Sequence, residues 1–160
     1  MNSSVIRFGV IGTGMMGCEH IRNLALLPGV AVTAIADPDE RSRGWGRLAA
    51  GAEVEIYADH RELLSKAAVD AVVIASPNHT HFAVLQDVFR TTKHVLVEKP
   101  LCTTVDDCKR VVEQSARHPA VTWVGRSRST TGNTSGWAGS HTRTVRSSLA
   151  DTSRPSGRAT

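Results

Sequence analysis

The sequence predicts an α/β protein with a doubly wound parallel sheet. Six short runs rich in valine and isoleucine alternate with amphipathic stretches from residue 5 to about Gly125. Several of these runs are apolar throughout, which is typical of strands covered by helices on both faces of a parallel sheet. The first run leads directly into a glycine-rich turn at residues 12–17. Alternating strands and helices of this kind predict right-handed βαβ crossovers and hence a Rossmann architecture.

Six predicted strands account for the apolar runs. Each is four to eight residues long, which is the usual length of a buried strand. The strands are predicted at residues 5–12, 30–36, 54–57, 70–76, 94–98 and 120–125.

Helix signals lie between these strands. In residues 15–29, the side predicted to face the sheet carries Met16, His20, Ile21, Leu24 and Leu27, and Pro28-Gly29 ends the run. In residues 79–90, that side carries Phe82, Leu85, Val88 and Phe89. Residues 39–50 are predicted to form a less regular helix, because Gly44 and Gly46 interrupt it.

The last predicted helix covers residues 103–117. It opens with Thr104-x-x-Asp107, a pattern similar to a capping box, and it places two aspartates at the positive end of the helix dipole. Its inward side is predicted to carry Cys108, Val111, Val112 and Ser115. We therefore interpret Cys108 as a small core residue rather than a reactive thiol.

The composition is that of an ordinary globular domain. The 160 residues are 41% apolar and 21% charged, which is enough for one packed core. The sequence begins without the pattern of a secretory signal, and no apolar run approaches the roughly 20 residues of a membrane span. The three cysteines are odd in number and form no C-x-x-C pair. We therefore expect a soluble, cytoplasmic protein without disulfides or a zinc site.

Residues 126–160 differ in composition from the rest of the chain. They contain six of the 19 basic residues but one of the 15 acidic residues, so the net positive charge lies there. Fifteen of them are serine or threonine, and their only large apolar residues are Trp137, Val145 and Leu149. Because such a segment has little to bury, we predict a domain at 1–125 followed by a disordered basic tail at 126–160.

The turn at residues 12–17 has the G-x-G-x-x-G pattern of dinucleotide-binding loops. It reads Gly12-Thr13-Gly14-Met15-Met16-Gly17, follows a predicted strand and opens a predicted helix. Gly12 permits the tight turn, Gly14 lets pyrophosphate approach the backbone, and Gly17 lets helix and strand pack closely. Amides at the helix start bind the phosphate charge. A tight turn without a ligand is the alternative, but this context favours a nucleotide site.

An acidic residue follows the second predicted strand. Asp37 lies 20 residues after Gly17, where a carboxylate accepts hydrogen bonds from the ribose hydroxyls of adenosine. A carboxylate there repels a 2′-phosphate, so NAD is favoured. Arg41 and Arg43 follow closely and could neutralise the acid, which keeps NADP possible. A helix-capping role is the alternative for Asp37.

Four motifs in this order make the sequence resemble the glucose–fructose oxidoreductase/inositol dehydrogenase family (Gfo/Idh/MocA). They are "GTGMMG" at 12–17, "AIADP" at 34–38, "ASPNHTH" at 75–81 and "VEKPL" at 97–101. The resemblance covers about residues 5–125. It implies an NAD- or NADP-dependent oxidoreductase acting on a hydroxyl carbon of a sugar or polyol, in which Ser76, Pro77, Asn78, His81, Glu98, Lys99 and Pro100 lie at the cofactor.

By this resemblance, Lys99 reaches the substrate and Pro100 shapes the turn that aims it. Ligands of doubly wound sheets bind beyond the carboxyl ends of the strands, and Lys99 follows such an end. Its ammonium group would donate to the reacting hydroxyl and stabilise negative charge on the oxygen. A surface lysine beside a strand is the alternative. Lys99 is therefore the predicted catalytic residue.

His79 and His81 form an H-x-H pattern that does not indicate a metal site. Residues two apart on a helix diverge, and no cysteine or carboxylate cluster accompanies them. We expect one of them, His81, to face the cofactor. His79, His60 and His94 are interpreted as surface residues.

The resemblance ends at about Gly125, and no D-x-x-x-H pattern of the family's second domain follows it. We therefore expect a cofactor-binding domain without the substrate-binding domain and with little or no activity alone, and the homo-oligomer that the resemblance implies becomes doubtful. A frameshift near codon 125 is one hypothesis for the origin of residues 126–160, and an evolved basic tail is the other. The alternative functions are a non-catalytic NAD(H) sensor and, through the arginines of the tail, nonspecific nucleic-acid binding.

Overall fold

A computed structural model describes residues 5–125, which form a six-stranded parallel sheet with strand order β3-β2-β1-β4-β5-β6. The strands are β1 (Ile6–Ile11), β2 (Val30–Ala36), β3 (Glu55–Tyr57), β4 (Ala71–Ile74), β5 (His94–Val97) and β6 (Thr122–Val124). The helices are α1 (Met15–Ala25), α2 (Glu40–Ala50), α3 (His60–Lys66), α4 (His81–Val88) and α5 (Val105–Ser115). The predicted doubly wound fold is confirmed, and the predicted tail lies outside the described residues.

Both faces of the sheet are covered by helices, as the apolar strands predict. Neighbouring residues of one strand belong to different cores: Val72 packs with the side chains of α3, α4 and α5, whereas Val73 packs with those of α1 and α2. The four residues of β4 are all buried. A central strand buried on both faces has no room for a polar position, which explains its unbroken apolar sequence.

The strand register brings the predicted motifs to one edge of the sheet. The last residues of the four central strands are paired in a row, Ala36 with Ile11, Ile11 with Ile74, and Ile74 with Val97. The residues that follow these ends therefore leave the sheet side by side. The chain runs from β1 outward to β2 and β3 and then returns to β4, so β1 and β4 flank the switch point where such sheets bind ligands.

Helix α1 presents a narrower buried face than its sequence predicts. Cys18 and Ile21 are buried, but Met16 is 47% exposed and Leu27 is 49% exposed. The helix begins at Met15, so its first turn projects beyond the edge of the sheet, and Leu27 follows the helix end. The predicted inward position of Met16 and Leu27 is therefore wrong.

Helix α2 uses one of its two glycines for close packing. A Cβ on Gly46 would lie 2.7 Å from Thr13 Cγ2 and 2.8 Å from Ile35 Cδ1, whereas one on Gly44 would meet no atom within 4 Å. Gly46 thus lets α2 approach the nucleotide loop, although a glycine at this position weakens the helical pattern.

Helix α3 was not predicted from the sequence. It has seven residues, of which Leu63 and Leu64 are buried, so it is too short for a clear period. Its N-cap is Asp59, whose carboxylate accepts from the Arg61 amide (2.8 Å). Hydrogen bonding to that amide lowers the pKa of Asp59.

Helix α5 begins as its capping pattern predicts. The Asp107 amide donates to Thr104 Oγ1 (3.2 Å), and the Thr104 hydroxyl donates to the Asp107 carboxylate (2.7 Å). Val111 is buried and Cys108 packs against the core, but Val112 is 53% exposed. The predicted inward position of Val112 is therefore wrong. Among helices of residues 5–125, none has the length and apolar character needed to cross a membrane.

A bidentate ion pair joins β1 to the start of β4. The Arg7 guanidinium donates to both carboxylate oxygens of Asp70 (2.8 and 3.1 Å), and the Arg7 amide donates to one of them (2.9 Å). The guanidinium and this amide lower the pKa of Asp70 from 3.8 to about 2.

We expect Asp70→Asn to lower the urea midpoint of unfolding at pH 7 and to reduce the loss of stability in acid. The folded-state pKa lies below the unfolded value, so the stabilisation by this carboxylate is complete above pH 3.8 and disappears as the pH falls towards about 2. Urea unfolding between pH 6 and pH 2 measures this, and a constant difference between the two proteins at all pH values would contradict it.

Candidate functional site

A cleft of about 500 Å³ opens at the carboxyl ends of β1, β2 and β4. Its lining contains Gly12, Gly14, Met15, Met16, Asp37, Ser76 and Pro77 from the predicted cofactor residues. The rest of the lining comes from Ile11, Ala36, Pro38, Asp39, Ser42, His60 and Ala75. The cleft therefore lies at the switch point and combines three of the four sequence motifs.

The glycine loop is closed tightly at both ends. Gly12 has φ +89°, and a Cβ there would lie 2.4 Å from the Ser76 amide nitrogen at the end of β4. A Cβ on Gly17 would lie 1.9 Å from the Gly12 carbonyl oxygen. A side chain at either position would overlap backbone atoms, so these two glycines are required by the fold itself.

Gly14 differs from the other two glycines because the space beside it is free. A Cβ there would meet no described atom within 4 Å, and Gly14 is the N-cap of α1. No side chain within the described chain caps this helix start. Helix N-termini carry unpaired amides and partial positive charge. Within residues 5–125, this helix start thus has the accessible backbone and the lack of a side-chain cap that a phosphate group requires.

The Asp37 carboxylate is held at the rim of this cleft by two backbone amides. One oxygen accepts from the Thr13 amide (2.7 Å) and the other from the Asp39 amide (2.9 Å). The N-cap of α2 is Asp39, whose side chain accepts from the Ser42 amide (2.8 Å), a bond that lowers the pKa of Asp39. The alternative of Asp37 as the helix cap is therefore wrong.

The arginines that follow Asp37 do not neutralise its carboxylate. Arg43 Nη1 donates to the main-chain carbonyls of Asp37 and Pro38, both at 2.9 Å. Arg41 is exposed on α2, and the described residues contain no salt bridge between either arginine and Asp37. The charge of Asp37 therefore remains available at the cleft.

Thr13 supports the loop from its buried side and does not line the cleft. It is 0% exposed, and its hydroxyl donates to the Ser42 carbonyl (2.8 Å). Its amide donates to Asp37, as described above. The prediction of Thr13 as a direct cofactor contact is corrected to that of a support between α2 and the loop. Gly17 is likewise buried and shapes the turn.

The turn after β4 contributes Ser76 and Pro77 to the cleft. The Ser76 and Thr80 hydroxyls are 2.7 Å apart and fix the short 3₁₀ turn Asn78–Thr80. Asn78 is exposed at the start of this turn, beside the lining residues. His79 is exposed, in agreement with its interpretation as a surface residue.

His81 is buried between two turns instead of facing the cleft. It is 0% exposed, its Nε2 lies 2.9 Å from the Ser76 carbonyl, and its Nδ1 lies 2.8 Å from the Pro100 carbonyl. Both ring nitrogens are occupied by protein acceptors, so the prediction that His81 faces the cofactor is corrected. The ring connects the turn after β4 with the turn after β5.

The turn after β5 contains Glu98, Lys99 and Pro100. The Glu98 carboxylate contacts His20 Nε2 at 2.7 Å and accepts from the Lys99 amide at 3.1 Å. Lys99 and Pro100 are exposed. None of the three lines the cleft itself, and they lie at the same sheet edge, on the β5 side of it.

Two histidines of this region were missed by sequence reasoning. His20 was placed on the inward side of α1 but was not connected with Glu98. His60 was interpreted as a surface residue, whereas it lines the cleft and its side chain is 17% exposed. Its Nε2 lies 2.9 Å from the Asp87 carboxylate, which also contacts Arg61 and Arg90 at 2.9 Å.

The three cysteines of the described part are free thiols: Cys102 and Cys108 pack in the apolar core, and Cys18 is buried with its thiol donating to the Thr13 carbonyl (3.3 Å). Burial raises the pKa of the Cys18 thiol, and it raises that of Cys102 to about 11. These two thiols are therefore protonated and unreactive near neutral pH. Within residues 5–125, no group of three or more His, Cys, Asp or Glu side chains comes together as a metal site would require.

Known proteins with similar sequences include inositol dehydrogenases. Inositol 2-dehydrogenase 1 of Saccharopolyspora erythraea is 46% identical over 111 residues, which cover 67% of this chain and 32% of that protein. The inositol 2-dehydrogenase/D-chiro-inositol 3-dehydrogenase of Shouchella clausii is 40% identical over 114 residues, 71% of this chain and 33% of that protein. The chain thus spans about a third of the length of these curated relatives.

A solved structure and a family profile agree with these relatives. Myo-inositol dehydrogenase of Lactobacillus casei, solved with NAD(H) and myo-inositol, superposes with a TM-score of 0.71 at 33% identity, over 76% of this chain and 36% of that one. The profile described as an oxidoreductase family with an NAD-binding Rossmann fold matches residues 6–126. This chain therefore belongs to the Gfo/Idh/MocA oxidoreductase family, through that family's NAD-binding Rossmann domain.

Proposed function

We propose that this chain binds NAD(H) in the cleft and serves as the cofactor-binding part of a polyol dehydrogenase. The observation that carries the proposal is the start of α1, where the space beside Gly14 is free and no side chain of residues 5–125 caps the helix. A phosphate group completes such a helix end better than water does, because it is charged and accepts several amide hydrogen bonds.

The adenosine end of the dinucleotide is assigned to Asp37. The Thr13 and Asp39 amides hold its carboxylate in place before any ligand arrives (2.7 and 2.9 Å). A fixed carboxylate accepts hydrogen bonds from both ribose hydroxyls without losing side-chain freedom. It repels a 2′-phosphate, and this supports NAD over NADP.

The nicotinamide end is assigned to the turns after β4 and β5. Pro77 and Asn78 would border the ring, and Glu98 would lie at its ribose. When bound, NAD supplies the hydride acceptor for oxidation of a hydroxyl carbon. Lys99 is exposed at this edge, and its ammonium group would donate to the substrate hydroxyl and stabilise the negative charge that develops on its oxygen.

The proposed substrate class is a small polyol such as an inositol. The support comes from relatives named as inositol 2-dehydrogenases, at 38–46% identity over the matched region. Absorbance of the reduced nicotinamide, measured with an inositol and NAD, tests this step. Bound NADH without turnover of any polyol would confine the proposal to cofactor binding.

We expect NADH to bind at least about fivefold more tightly than NADPH, because two like charges a few ångströms apart at a partly exposed site repel by about 1 kcal/mol or more. Asp37→Asn should narrow this gap, since the amide removes the charge and keeps one acceptor oxygen for a loop amide. Fluorescence titration of both cofactors measures the affinities.

Asp37→Ala separates charge from loop support. It removes the charge and both loop hydrogen bonds. It should therefore reduce the difference in affinity between NADH and NADPH and also lower the affinity for NADH. Circular dichroism of both variants controls for folding. Equal affinities for NADH and NADPH in the unmutated chain would contradict the assignment of Asp37.

A further inference from the structure

We propose that His20 is a positioning residue that fixes the Glu98 carboxylate and the Lys99 turn at the nicotinamide end of the site. The proposal rests on NAD(H) binding as proposed above. His20 Nε2 lies 2.7 Å from Glu98 Oε1, a short contact typical of a charge-assisted hydrogen bond. The two side chains are only 21% and 18% exposed, so water competes weakly for either partner.

The Glu98 carboxylate is held by hydrogen bonds at both oxygens and is closely approached on a third side. His20 on α1 engages Oε1, and the Lys99 amide donates to Oε2 at 3.1 Å. On a third side lies Gly125 after β6, where a Cβ would be 3.4 Å from Oε1. Each carboxylate oxygen thus has a donor, and the side chain has one preferred orientation. Without His20, Oε1 would lose its donor, and Oε2 would keep only its hydrogen bond from the amide of the next residue, Lys99.

The contact connects the two halves of the proposed cofactor site. His20 lies on the helix whose start is assigned to the pyrophosphate, six positions after the N-cap Gly14. Glu98 lies in the turn that carries Lys99. The sheet register fixes the ends of β1 and β5 relative to each other, but Glu98 and Lys99 lie beyond the last paired residue, Val97. The Glu98 amide donates to the Ile74 carbonyl (2.9 Å), so the sheet holds the Glu98 backbone, and His20 connects the Glu98 side chain to α1.

This role predicts a selective effect on the nicotinamide half of the ligand. ADP contains the adenosine and pyrophosphate portions but not the nicotinamide riboside. Loss of His20 should lower the affinity for NADH about 5- to 20-fold and change the affinity for ADP by less than about twofold. The reason is that the one charge-assisted hydrogen bond that is removed lies at the nicotinamide end. A general distortion of α1 would weaken both ligands, since both need the helix start.

The experiment uses the full chain and three variants, with NADH and ADP titrations and amide hydrogen exchange without ligand. His20→Ala should weaken NADH selectively and speed exchange of the Lys99 amide, whose acceptor Glu98 becomes mobile. His20→Gln retains an N–H donor and should restore part of both readouts. Glu19→Gln, at an exposed neighbour on the same helix, should change neither.

The two readouts separate this inference from the proposed function. Failure of the unmutated chain to bind NADH would refute the proposed function and the ligand part of the inference, while Lys99 exchange would still decide whether His20 positions the turn. Unchanged Lys99 exchange in His20→Ala would overturn the positioning role. Equal weakening of NADH and ADP would overturn it as well, because that result identifies a distorted helix.

Discussion

Gly17→Ala is expected to lower the free energy of unfolding by at least about 3 kcal/mol, a large part of the 5–15 kcal/mol that stabilises a typical domain. The added methyl group would lie 1.9 Å from the Gly12 carbonyl oxygen, well inside van der Waals contact. Neither side can easily move, since Gly17 lies in the first turn of α1 and Gly12 packs against the Ser76 backbone. Urea unfolding followed by circular dichroism measures the change.

Two other glycines serve as matched controls for this effect. Gly44→Ala adds a methyl group that meets no described atom within 4 Å in the interior of α2, so it should stabilise the helix by up to about 1 kcal/mol. Gly14→Ala also meets no atom and has φ −67°, so it should leave stability nearly unchanged while weakening NADH. If the Gly17→Ala and Gly44→Ala proteins had the same urea midpoint of unfolding, the predicted steric overlap at Gly17 would be wrong.

The glycines of the loop, Gly12, Gly14 and Gly17, explain why the loop was predictable from sequence. Gly12 and Gly17 reflect close contacts with the strand end after β4 and within the loop, and Gly14 leaves the helix start open, so a local pattern contains most of the geometry. The sheet was predictable for a similar reason. Burial on both faces leaves no polar position in β4, and an unbroken apolar run is visible without knowledge of its partners.

The residues that sequence reasoning missed depend on partners far along the chain. His20 meets Glu98 across 78 positions, and His60 meets Asp87 across 27. No periodicity relates such pairs, and only the strand order brings them together. The exposure of Met16 was missed for a related reason, because the helical pattern does not show where the sheet beneath α1 ends.

The assignment of His81 shows how position alone can mislead. A polar residue just after a strand end is equally suited to face a ligand or to bind neighbouring turns. His81 does the second, because the turns after β4 and β5 both direct a carbonyl oxygen towards its ring. A sequence without its structure does not show the direction of a carbonyl group.

His81→Ala is accordingly expected to lower the free energy of unfolding by about 2–4 kcal/mol. The substitution removes a fully buried ring and leaves a cavity, and it deprives the Ser76 and Pro100 carbonyls of their donor. The turn that carries Lys99 then loses its connection to the turn after β4.

The exposed neighbour His79 provides the matched control, since His79→Ala removes the same group from the same turn without burial. It should unfold at the urea concentration of the unmutated chain. His81→Gln supplies an amide NH₂ group without the ring, so it should recover part of the lost stability but not all of it. If His81→Ala unfolded at the same urea concentration as His79→Ala, the two carbonyl contacts would be irrelevant to stability. His81 would then have to be reconsidered as a ligand contact, the role that its sequence position suggests and its burial contradicts.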